Sequence, residues 1–249
     1  MGTTAPGLSD AELAARLAEA AGRLLLDVQA SGMLSTKALG LAGDATANEF
    51  LCHALADQRP DDGLLSEESK DTAERLAKRR VWIIDPVDGT REYGEERTDW
   101  AVHVALAIDG VAVHGAVALP GAGLVLRSDA PIAIPPAPER LRMVVSRTRP
   151  AREATHIAER LGAELVPMGS AGAKAMAVVL GQADIYLHSG GQHEWDSCAP
   201  VAVALAHGLH CSRIDGSLLV YNRADTYMPD LLICRPEHAA QMLAEVALI

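Results

Sequence analysis

The sequence predicts a mixed fold of the α/β or α+β class, because helical and strand periodicities of apolar residues alternate along the chain. Helical spacing follows Ser9 and Glu12, which form a capping box at the start of the first helix. Strict alternation over residues 100–119, interrupted by Asp109-Gly110, predicts a β-hairpin. Beyond the four prolines of residues 131–138, strands alternate with helices, which favours parallel pairing.

The remaining elements follow from the same patterns in chain order. The first helix is expected to end near Ser31-Gly32, Asp44 to open the second helix, and short strands to cover residues 64–65 and 81–84. The later elements are expected to be strands at 141–146, 164–166 and 185–187 and helices at 151–161, 170–180 and 196–207. The prolines of 131–138 are the candidate boundary between two domains, residues 1–130 and 131–249.

Composition and charge restrict the classes of function. Hydrophobic residues make up 49% of the 249 residues, which is ample for a packed core, and the formal net charge of −11 argues against nucleic-acid polymers as partners. No apolar run approaches the roughly 20 residues that span a membrane. Residues 1–10 show no secretion signal. We therefore expect a cytoplasmic protein whose four cysteines are thiols rather than disulfides or zinc ligands.

The segment Asp85-Pro86-Val87-Asp88-Gly89-Thr90 follows the apolar strand at 81–84 and adds two carboxylates at its end. Pro86 fixes its own φ and restricts Asp85, so the segment is stiff. Carboxylate oxygens are ligands that Mg²⁺ prefers, usually together with water and substrate phosphates. Asp, Pro and Gly are also common in turns, so the segment by itself is either a cation-binding loop or a surface turn.

Two further acidic segments favour the cation-binding interpretation. Glu67-Glu68 follows the short strand at 64–65, and Asp196 precedes an apolar helix. Each has an ordinary alternative, since paired glutamates usually form a solvated face and Asp196 could be a helix N-cap. Three acidic sites at the ends of elements in one chain are harder to explain as ordinary turns, and they favour a metal site.

These motifs together resemble those of a known superfamily. Trp82 with Asp85-Pro86-Val87-Asp88-Gly89-Thr90, the later Trp195-Asp196 and the upstream Glu67-Glu68 are similar to the metal motifs of the magnesium-dependent, lithium-sensitive phosphatases. That superfamily includes inositol monophosphatase and fructose-1,6-bisphosphatase. The resemblance covers nearly the whole chain, from the first helix to about residue 235.

Within the superfamily, the chain resembles the CysQ-type bacterial 3′(2′),5′-bisphosphate nucleotidases. The resemblance rests on Arg91-Glu92-Tyr93 after the metal motif, on Val144-Val145-Ser146-Arg147, and on Gly169-Ser170 followed by Lys174. Inositol monophosphatases usually have Thr-Asn-Phe where this chain has Arg91-Glu92-Tyr93, which argues against that branch.

The resemblance implies a layered αβαβα sandwich with two or three Mg²⁺ ions in an active site between its two halves. Glu67, Asp85 and the backbone carbonyl of Val87 would hold one ion. Asp85, Asp88 and Asp196 would hold a second. The 1–130 domain would then be an α+β unit with most of the metal ligands, and the 131–249 domain an α/β unit with Asp196 and the substrate-binding residues.

Water is the nucleophile that the resemblance implies, with no Ser-His or Cys-His pair. Thr90 would orient the water and would itself be held by Glu67 or by Asp44. Asp44 has a second interpretation, as the N-cap of its helix. The preceding segment, residues 37–43, is shorter than the corresponding loop of inositol monophosphatases, and this leaves the third metal site open.

The scissile phosphate would accept hydrogen bonds from the backbone N–H groups of Gly89 and Thr90. Ser170 and Lys174 begin a helix and would lie near the second, uncleaved phosphate or the ribose. From the residues alone, a simple Ser170 N-cap with Lys174 in solvent is the favoured interpretation, and only the resemblance reverses that preference.

Ser146 and Arg147 would line the nucleotide pocket, although Arg147 could equally be an exposed arginine at the end of its strand. Tyr221 and Tyr227 could stack on adenine or could belong to the core. His103 is expected, like His114, to be an exposed strand residue rather than a ligand.

The function that these expectations favour is a Mg²⁺-dependent nucleotidase that removes the 3′-phosphate of 3′-phosphoadenosine 5′-phosphate in sulfur assimilation. Its sulfated form, 3′-phosphoadenosine 5′-phosphosulfate, is a second candidate substrate. Inositol monophosphatase or fructose-1,6-bisphosphatase activity is the alternative, alone or as relaxed specificity. The expected partner is therefore a small phosphate ester, and a homodimer stays open.

Two other classes of protein fit less well. A catalytically silent scaffold on this fold predicts a lost ligand, whereas every expected ligand is present: Glu67, Asp85, Asp88, Thr90 and Asp196. A Rossmann nucleotide-binding protein predicts Gly-x-Gly-x-x-Gly after an early strand, and no such motif occurs.

Overall fold

A computed structural model describes residues 7–249, so residues 1–6, on which part of the secretion-signal expectation rests, lie outside the described residues. The helices are α1 Asp10–Ala30, α2 Thr36–Gln58, α3 Thr90–Gly94, α4 Arg152–Leu161, α5 Ala171–Val179, α6 Glu194–Ala206 and α7 Pro236–Val246. The strands are β1 Gly63–Ser66, β2 Arg80–Asp88, β3 Ala101–Ile108, β4 Val111–Leu119, β5 Leu124–Arg127, β6 Arg142–Ser146, β7 Glu164–Met168, β8 Ile185–His193, β9 His210–Ser212 and β10 Tyr227–Cys234.

The first sheet has the strand order β1-β2-β3-β4-β5, with β1 parallel to β2 and the other pairs antiparallel. Successive residues of a strand point to opposite faces, and both faces of this sheet are buried. Val102 and Val104 of β3 pack in the cluster formed with α1 and α2, whereas Ala101 and Ala105 pack in the cluster formed with α5 and α6. The small alanine side chains leave room for α5 and α6 to approach the sheet closely.

The second sheet has the strand order β7-β6-β8-β10-β9. The pairs β6–β7 and β6–β8 are parallel, as the alternation of strands and helices predicts, but β10 runs antiparallel to both β8 and β9. Helices α4 and α7 cover its outer face, and α5 and α6 lie between the two sheets. The layers therefore follow the order αβαβα, which confirms the predicted fold class.

The start of α2 corrects the prediction that Asp44 opens this helix. The helix begins at Thr36, and Asp44 lies in its third turn with its side chain buried. The segment before Asp44 was expected to be a loop, and Gly40 and Gly43 agree with that expectation because glycine is unfavourable inside a helix. Here they bring the α2 backbone against Thr90 and Tyr93, so tertiary packing outweighs helix propensity.

One buried cluster spans both halves of the chain, and each half also has a cluster of its own. The largest cluster of buried side chains joins Ile83 and Val117 of the first sheet with Val144 and Tyr186 of the second. The boundary at 131–138 does fall between the sheets, since β5 ends at Arg127 and β6 begins at Arg142. We keep the division into 1–130 and 131–249 as a proposal about sheet membership.

None of the helices within residues 7–249 combines the length and the apolar character needed to cross a lipid bilayer. The four cysteines, Cys52, Cys198, Cys211 and Cys234, are free thiols in the structure.

Candidate metal centre and active-site cleft

Three carboxylates meet where β2 ends and α6 begins. Asp85, Asp88 and Asp196 each offer one oxygen, and these oxygens lie within 4.8 Å of one another. Asp85 and Asp88 are almost completely buried. Two segments that are more than 100 residues apart in the sequence thus form one acidic cluster.

The end of β2 is shaped to present these side chains. The pairing of β2 with β3 is regular up to Asp85, which faces His103, and shifts before Asp88, which faces Ala101. The chain then turns at Gly89, whose φ of 90° suits glycine and few other residues, and enters α3 at Thr90. The irregular strand end turns Asp85 and Asp88 toward the same site.

Asp88 is held by the N-terminus of α5. Its Oδ1 accepts the Ala171 N–H at 3.0 Å, and its Oδ2 accepts the Gly172 N–H at 2.5 Å. A side chain at Gly172 would collide with His103, so only glycine allows this approach. Burial by itself raises the pKa of Asp88, but His103 and Lys174 outweigh it and hold the pKa below its usual range.

His103 corrects the expectation of an exposed strand residue. Its ring is completely buried, with Nε2 3.1 Å from Asp88 Oδ2 and Nδ1 3.0 Å from the carbonyl oxygen of Trp195. The prediction assumed that one face of β3 meets solvent, whereas both faces are buried. A polar residue in an otherwise apolar strand, Ala101–Ile108, was the available signal that this position belongs to a site.

Asp196 lies in the first turn of α6 rather than at its N-cap, which is His193. Its Oδ2 accepts the His193 N–H at 2.7 Å. Burial and the nearby Asp88 raise the pKa of Asp196 to about 7. A helix N-terminus thus orients this third carboxylate but does not neutralise it.

Glu67 and Asp44 extend the acidic character of the cluster. The Glu67 residue is exposed as a whole, yet loss of water around its carboxylate, together with Asp196, raises its pKa to about 7. Burial likewise raises the pKa of Asp44 to about 7, with Glu68 adding to the effect. Five carboxylates therefore lie close together with little compensating charge.

Asp85 has a carboxylate oxygen that no hydrogen bond compensates. Its Oδ1 is buried and has no hydrogen-bond partner, and burial together with Glu67 and Asp88 raises its pKa well above the usual range. A buried carboxylate oxygen without a partner is costly unless a cation compensates it. An oxygen-only donor set of this kind fits Mg²⁺, which prefers carboxylates and keeps several waters.

Thr90 connects this cluster to α2. Its hydroxyl Oγ1 lies 3.4 Å from Asp44 Oδ1 and 3.2 Å from the carbonyl oxygen of Val87. Of the two partners expected for Thr90, the structure therefore shows Asp44.

A cleft of about 350 Å³ opens beside the carboxylates and is lined by both halves of the chain. Asp88 and Asp196 lie in its wall together with Ser146, Ser170 and Lys174. The cleft thus brings three of the expected substrate-binding residues to the acidic cluster.

Ser170 has the N-cap position that one interpretation of the sequence gave it, whereas Lys174 does not lie in solvent. Ser170 is the N-cap of α5 and accepts the Ala173 N–H at 3.0 Å. Lys174 is buried rather than in solvent, and its ammonium group donates to the carbonyl oxygens of Gly169 and Ser170. Burial lowers the pKa of Lys174. Its ammonium group is therefore held by the start of its own helix at the wall of the cleft.

Arg147 needs a similar correction. Its guanidinium donates to Glu92 Oε1 at 2.7 Å and to Glu95 Oε2 at 2.6 Å, and it does not line the cleft. Arg149 lines the cleft instead, two residues farther from the end of β6. Arg149 was not among the site residues predicted from the sequence, although two arginines, Arg147 and Arg149, follow this strand closely.

The two tyrosines are outside this cleft. Tyr221 is buried, with its hydroxyl 3.3 Å from Ser197 Oγ, so it belongs to the core. Tyr227 is partly exposed and its ring meets the ring of His193 at 5.9 Å between centroids.

Comparison with known proteins extends these observations. The sequence pattern that describes the inositol monophosphatase family matches residues 11–248. The 3′-phosphoadenosine 5′-phosphate phosphatase of Mycobacterium leprae is 50% identical over 254 residues, covering 96% of this chain and 94% of that protein. The 3′(2′),5′-bisphosphate nucleotidase CysQ of Escherichia coli K12 is 28% identical, covering 75% of this chain and 81% of that protein.

Solved structures share the fold. CysQ from Bacteroides thetaiotaomicron superposes with a TM-score of 0.77 at 24% identity, covering 91% of this chain and 97% of that one. An inositol monophosphatase from Anabaena superposes with a TM-score of 0.78 at 22% identity, covering 96% and 95%. The match over almost the whole sequence and the half-identical relative lead to one conclusion: the chain belongs to the inositol monophosphatase family.

Proposed function

We propose that this chain is a Mg²⁺-dependent phosphatase that hydrolyses the 3′-phosphate of 3′-phosphoadenosine 5′-phosphate. The observation that carries the proposal is the buried cluster of Asp85, Asp88 and Asp196 at the wall of a cleft, with one carboxylate oxygen left without a partner. The choice of a nucleotide substrate is supported by the half-identical relatives, which are named as phosphatases of this compound. Its phosphosulfate form is the second candidate substrate.

The proposed metal ligands are Glu67, Asp85 and the carbonyl of Val87 for one Mg²⁺, and Asp85, Asp88 and Asp196 for another. When bound, such a pair of ions stabilises the attacking and leaving oxygens of an in-line displacement at phosphorus. The carboxylates of the chain would hold the ions, which would offset the repulsion among the carboxylates. This arrangement lets an acidic protein bind an anionic substrate.

The remaining site residues act on water and on the phosphate. Thr90, whose hydroxyl lies 3.4 Å from Asp44 Oδ1, would orient the attacking water together with Glu67. The backbone N–H groups of Gly89 and Thr90 are proposed as donors to the scissile phosphate. The water oxygen bonds to phosphorus and the bond from phosphorus to O3′ breaks. Overall, one proton of the water passes to O3′, which becomes a hydroxyl, and the other stays on the released phosphate. The products are adenosine 5′-phosphate and inorganic phosphate.

The first prediction concerns substrate choice. With Mg²⁺, the kcat/KM for 3′-phosphoadenosine 5′-phosphate is expected to exceed the values for inositol 1-phosphate and fructose 1,6-bisphosphate by at least about tenfold. Phosphate release measured on purified protein tests this. A preference for a sugar or inositol phosphate would keep the metal chemistry and overturn the nucleotide. Release from none of the three would indicate a silent scaffold.

The second prediction concerns how pH and Mg²⁺ affect the stability of the wild type, and how Asp85→Asn changes that effect. The pKa values of Asp85, Glu67 and Asp196 are raised in the folded protein, so folding takes up protons. Without a divalent cation, stability is therefore expected to fall as pH rises from about 4 through about 7. Saturating Mg²⁺ should raise Tm more at pH 8 than at pH 6, because cations relieve repulsion among ionised carboxylates.

Asp85→Asn should shrink this Mg²⁺-induced rise in Tm and reduce turnover by more than the roughly 10–100-fold that the loss of an outer-shell partner costs. Asp57→Asn is the matched control, because Asp57 is exposed on α2 and far along the helix from Asp44. An Asp85→Asn protein with the Tm rise of the wild type would refute the assignment of Asp85 as a ligand.

The third prediction concerns His103 as a positioning residue for Asp88. His103→Ala removes the ring that lies 3.1 Å from Asp88 Oδ2, so the Mg²⁺ activation midpoint should rise about 10–100-fold. His103→Gln should recover part of this loss because its amide can reach the same carboxylate. His53→Ala, at an exposed position of α2, is the control. A midpoint unchanged in His103→Ala would contradict the assignment.

A further inference from the structure

Among residues 7–249, the side chains of two arginines beside the active-site cleft have neither a hydrogen-bond partner nor an ion-pair partner. Within residues 7–249, all arginines but four pair with an Asp or Glu carboxylate. Of these four, Arg140 donates to the carbonyl of Gly162 and Arg223 to that of Tyr227. The guanidinium groups of Arg149 and Arg152 make no hydrogen bond with any described residue.

Arg149 and Arg152 line the same cavity. It has a volume of about 330 Å³ and lies between the start of α4 and the irregular end of β8. Its wall shares Ser146, Arg149 and His188 with the cleft that contains Asp88 and Asp196. One groove therefore runs from the acidic cluster to Arg152.

The positive charge at this end of the groove comes from the arginines. His188 Nε2 lies 2.8 Å from the carbonyl oxygen of Gly190, and burial, with Lys174 and Arg149 adding to it, lowers the pKa of His188 to about 4. The imidazole is therefore neutral at pH 7. Glu153, next to Arg152, accepts a hydrogen bond of 2.5 Å from the Ser189 hydroxyl and pairs with neither arginine.

The space in front of the arginines is open. A side-chain carbon at Gly190 or Gly191, which line the cavity, would meet nothing within 4 Å, so the space beside these two residues is open. In a protein with a net charge of −11, two free guanidinium groups beside an empty cavity are an exception. Guanidinium is also the side chain that best matches a phosphate, because it can donate two parallel hydrogen bonds.

We propose that Arg149 and Arg152 bind the phosphate of the substrate that is not cleaved, which for the proposed nucleotide is the 5′-phosphate. The inference rests on the proposed function and names the residues that distinguish a bisphosphate from a monophosphate. It moves this role away from Lys174, whose ammonium is bonded to two carbonyls, and from Arg147, which is paired with Glu92 and Glu95.

The geometry explains how one groove can handle two phosphates differently. The phosphate to be hydrolysed lies at the carboxylates and the cations they hold. The other phosphate lies at the opposite end, against arginines that keep their charge at every accessible pH. The distance between the two ends would then select the spacing of the two phosphates.

The test compares Arg149→Gln, Arg152→Gln and the double variant with the wild type on adenosine 3′,5′-bisphosphate and adenosine 3′-monophosphate. The ratio of kcat/KM for the bisphosphate to that for the monophosphate should fall about tenfold or more for each arginine, as expected for loss of a hydrogen bond to a charged group. In calorimetric titrations, the variants should bind adenosine 5′-monophosphate more weakly than the wild type does. Their affinity for adenosine should be unchanged. Arg140→Gln, which has the same charge change outside the groove, is the control.

The outcomes separate this inference from the proposed function. A wild-type enzyme that prefers the bisphosphate nucleotide, with variants that keep the same ratio within about twofold, would overturn the role of the arginines alone. Equal losses on both nucleotides would also overturn it, because they would indicate a general effect on the cleft. A wild-type enzyme that prefers inositol 1-phosphate to both nucleotides would overturn the proposed function and this inference together.

Discussion

The burial of several carboxylates at one point is the constraint on which the rest of the structure depends. Asp85 and Asp88 come from the end of β2 and Asp196 from the start of α6, and each would be costly to bury alone. The protein compensates them unequally. Asp88 has two backbone N–H donors and His103, Asp196 has one N–H donor, and Asp85 Oδ1 has none. This unequal compensation leaves a defined place for cations.

The layered fold holds these groups together. Asp88 is anchored to α5 and Asp196 belongs to α6, so the two helices between the sheets also position the acidic cluster. Small residues on both sides make this possible. Gly115 of β4 lies so close to Ala199 and Ala202 of α6 that a side-chain carbon there would force a shift. The scarcity of aromatic residues, only 3% of the chain, is consistent with a core built for close helix–sheet contact.

The motif after β2 and the αβαβα class could be predicted because they depend on local signals. Asp85-Pro86-Val87-Asp88-Gly89-Thr90 is contiguous, and the hairpin of β3 and β4 turns at Asp109 and Gly110 as its pattern indicates. The errors share a different cause. His103 was misread because alternation in a strand does not reveal whether the second face is covered. The start of α2 was misread because Gly40 and Gly43 are helix-breaking locally and are required by packing.

The substrate-binding residues were the hardest to predict, since their roles depend on which charges are already paired. Arg147 and Arg149 are nearly identical in sequence context, yet only Arg147 meets carboxylates, from a segment more than 50 residues away. Lys174 similarly loses its access to solvent beside a distant segment, since its ammonium lies 5.5 Å from the ring centroid of Tyr186 in β8. Neither relationship is visible in local sequence.

The most direct test of the account is a crystal structure of the protein with Mn²⁺ in place of Mg²⁺, with anomalous scattering used to locate the ions. We expect anomalous peaks within bonding distance of Asp85, Asp88 and Asp196. Asp85 Oδ1 should then contact a metal ion. Full occupancy elsewhere with no peak at these carboxylates would contradict it.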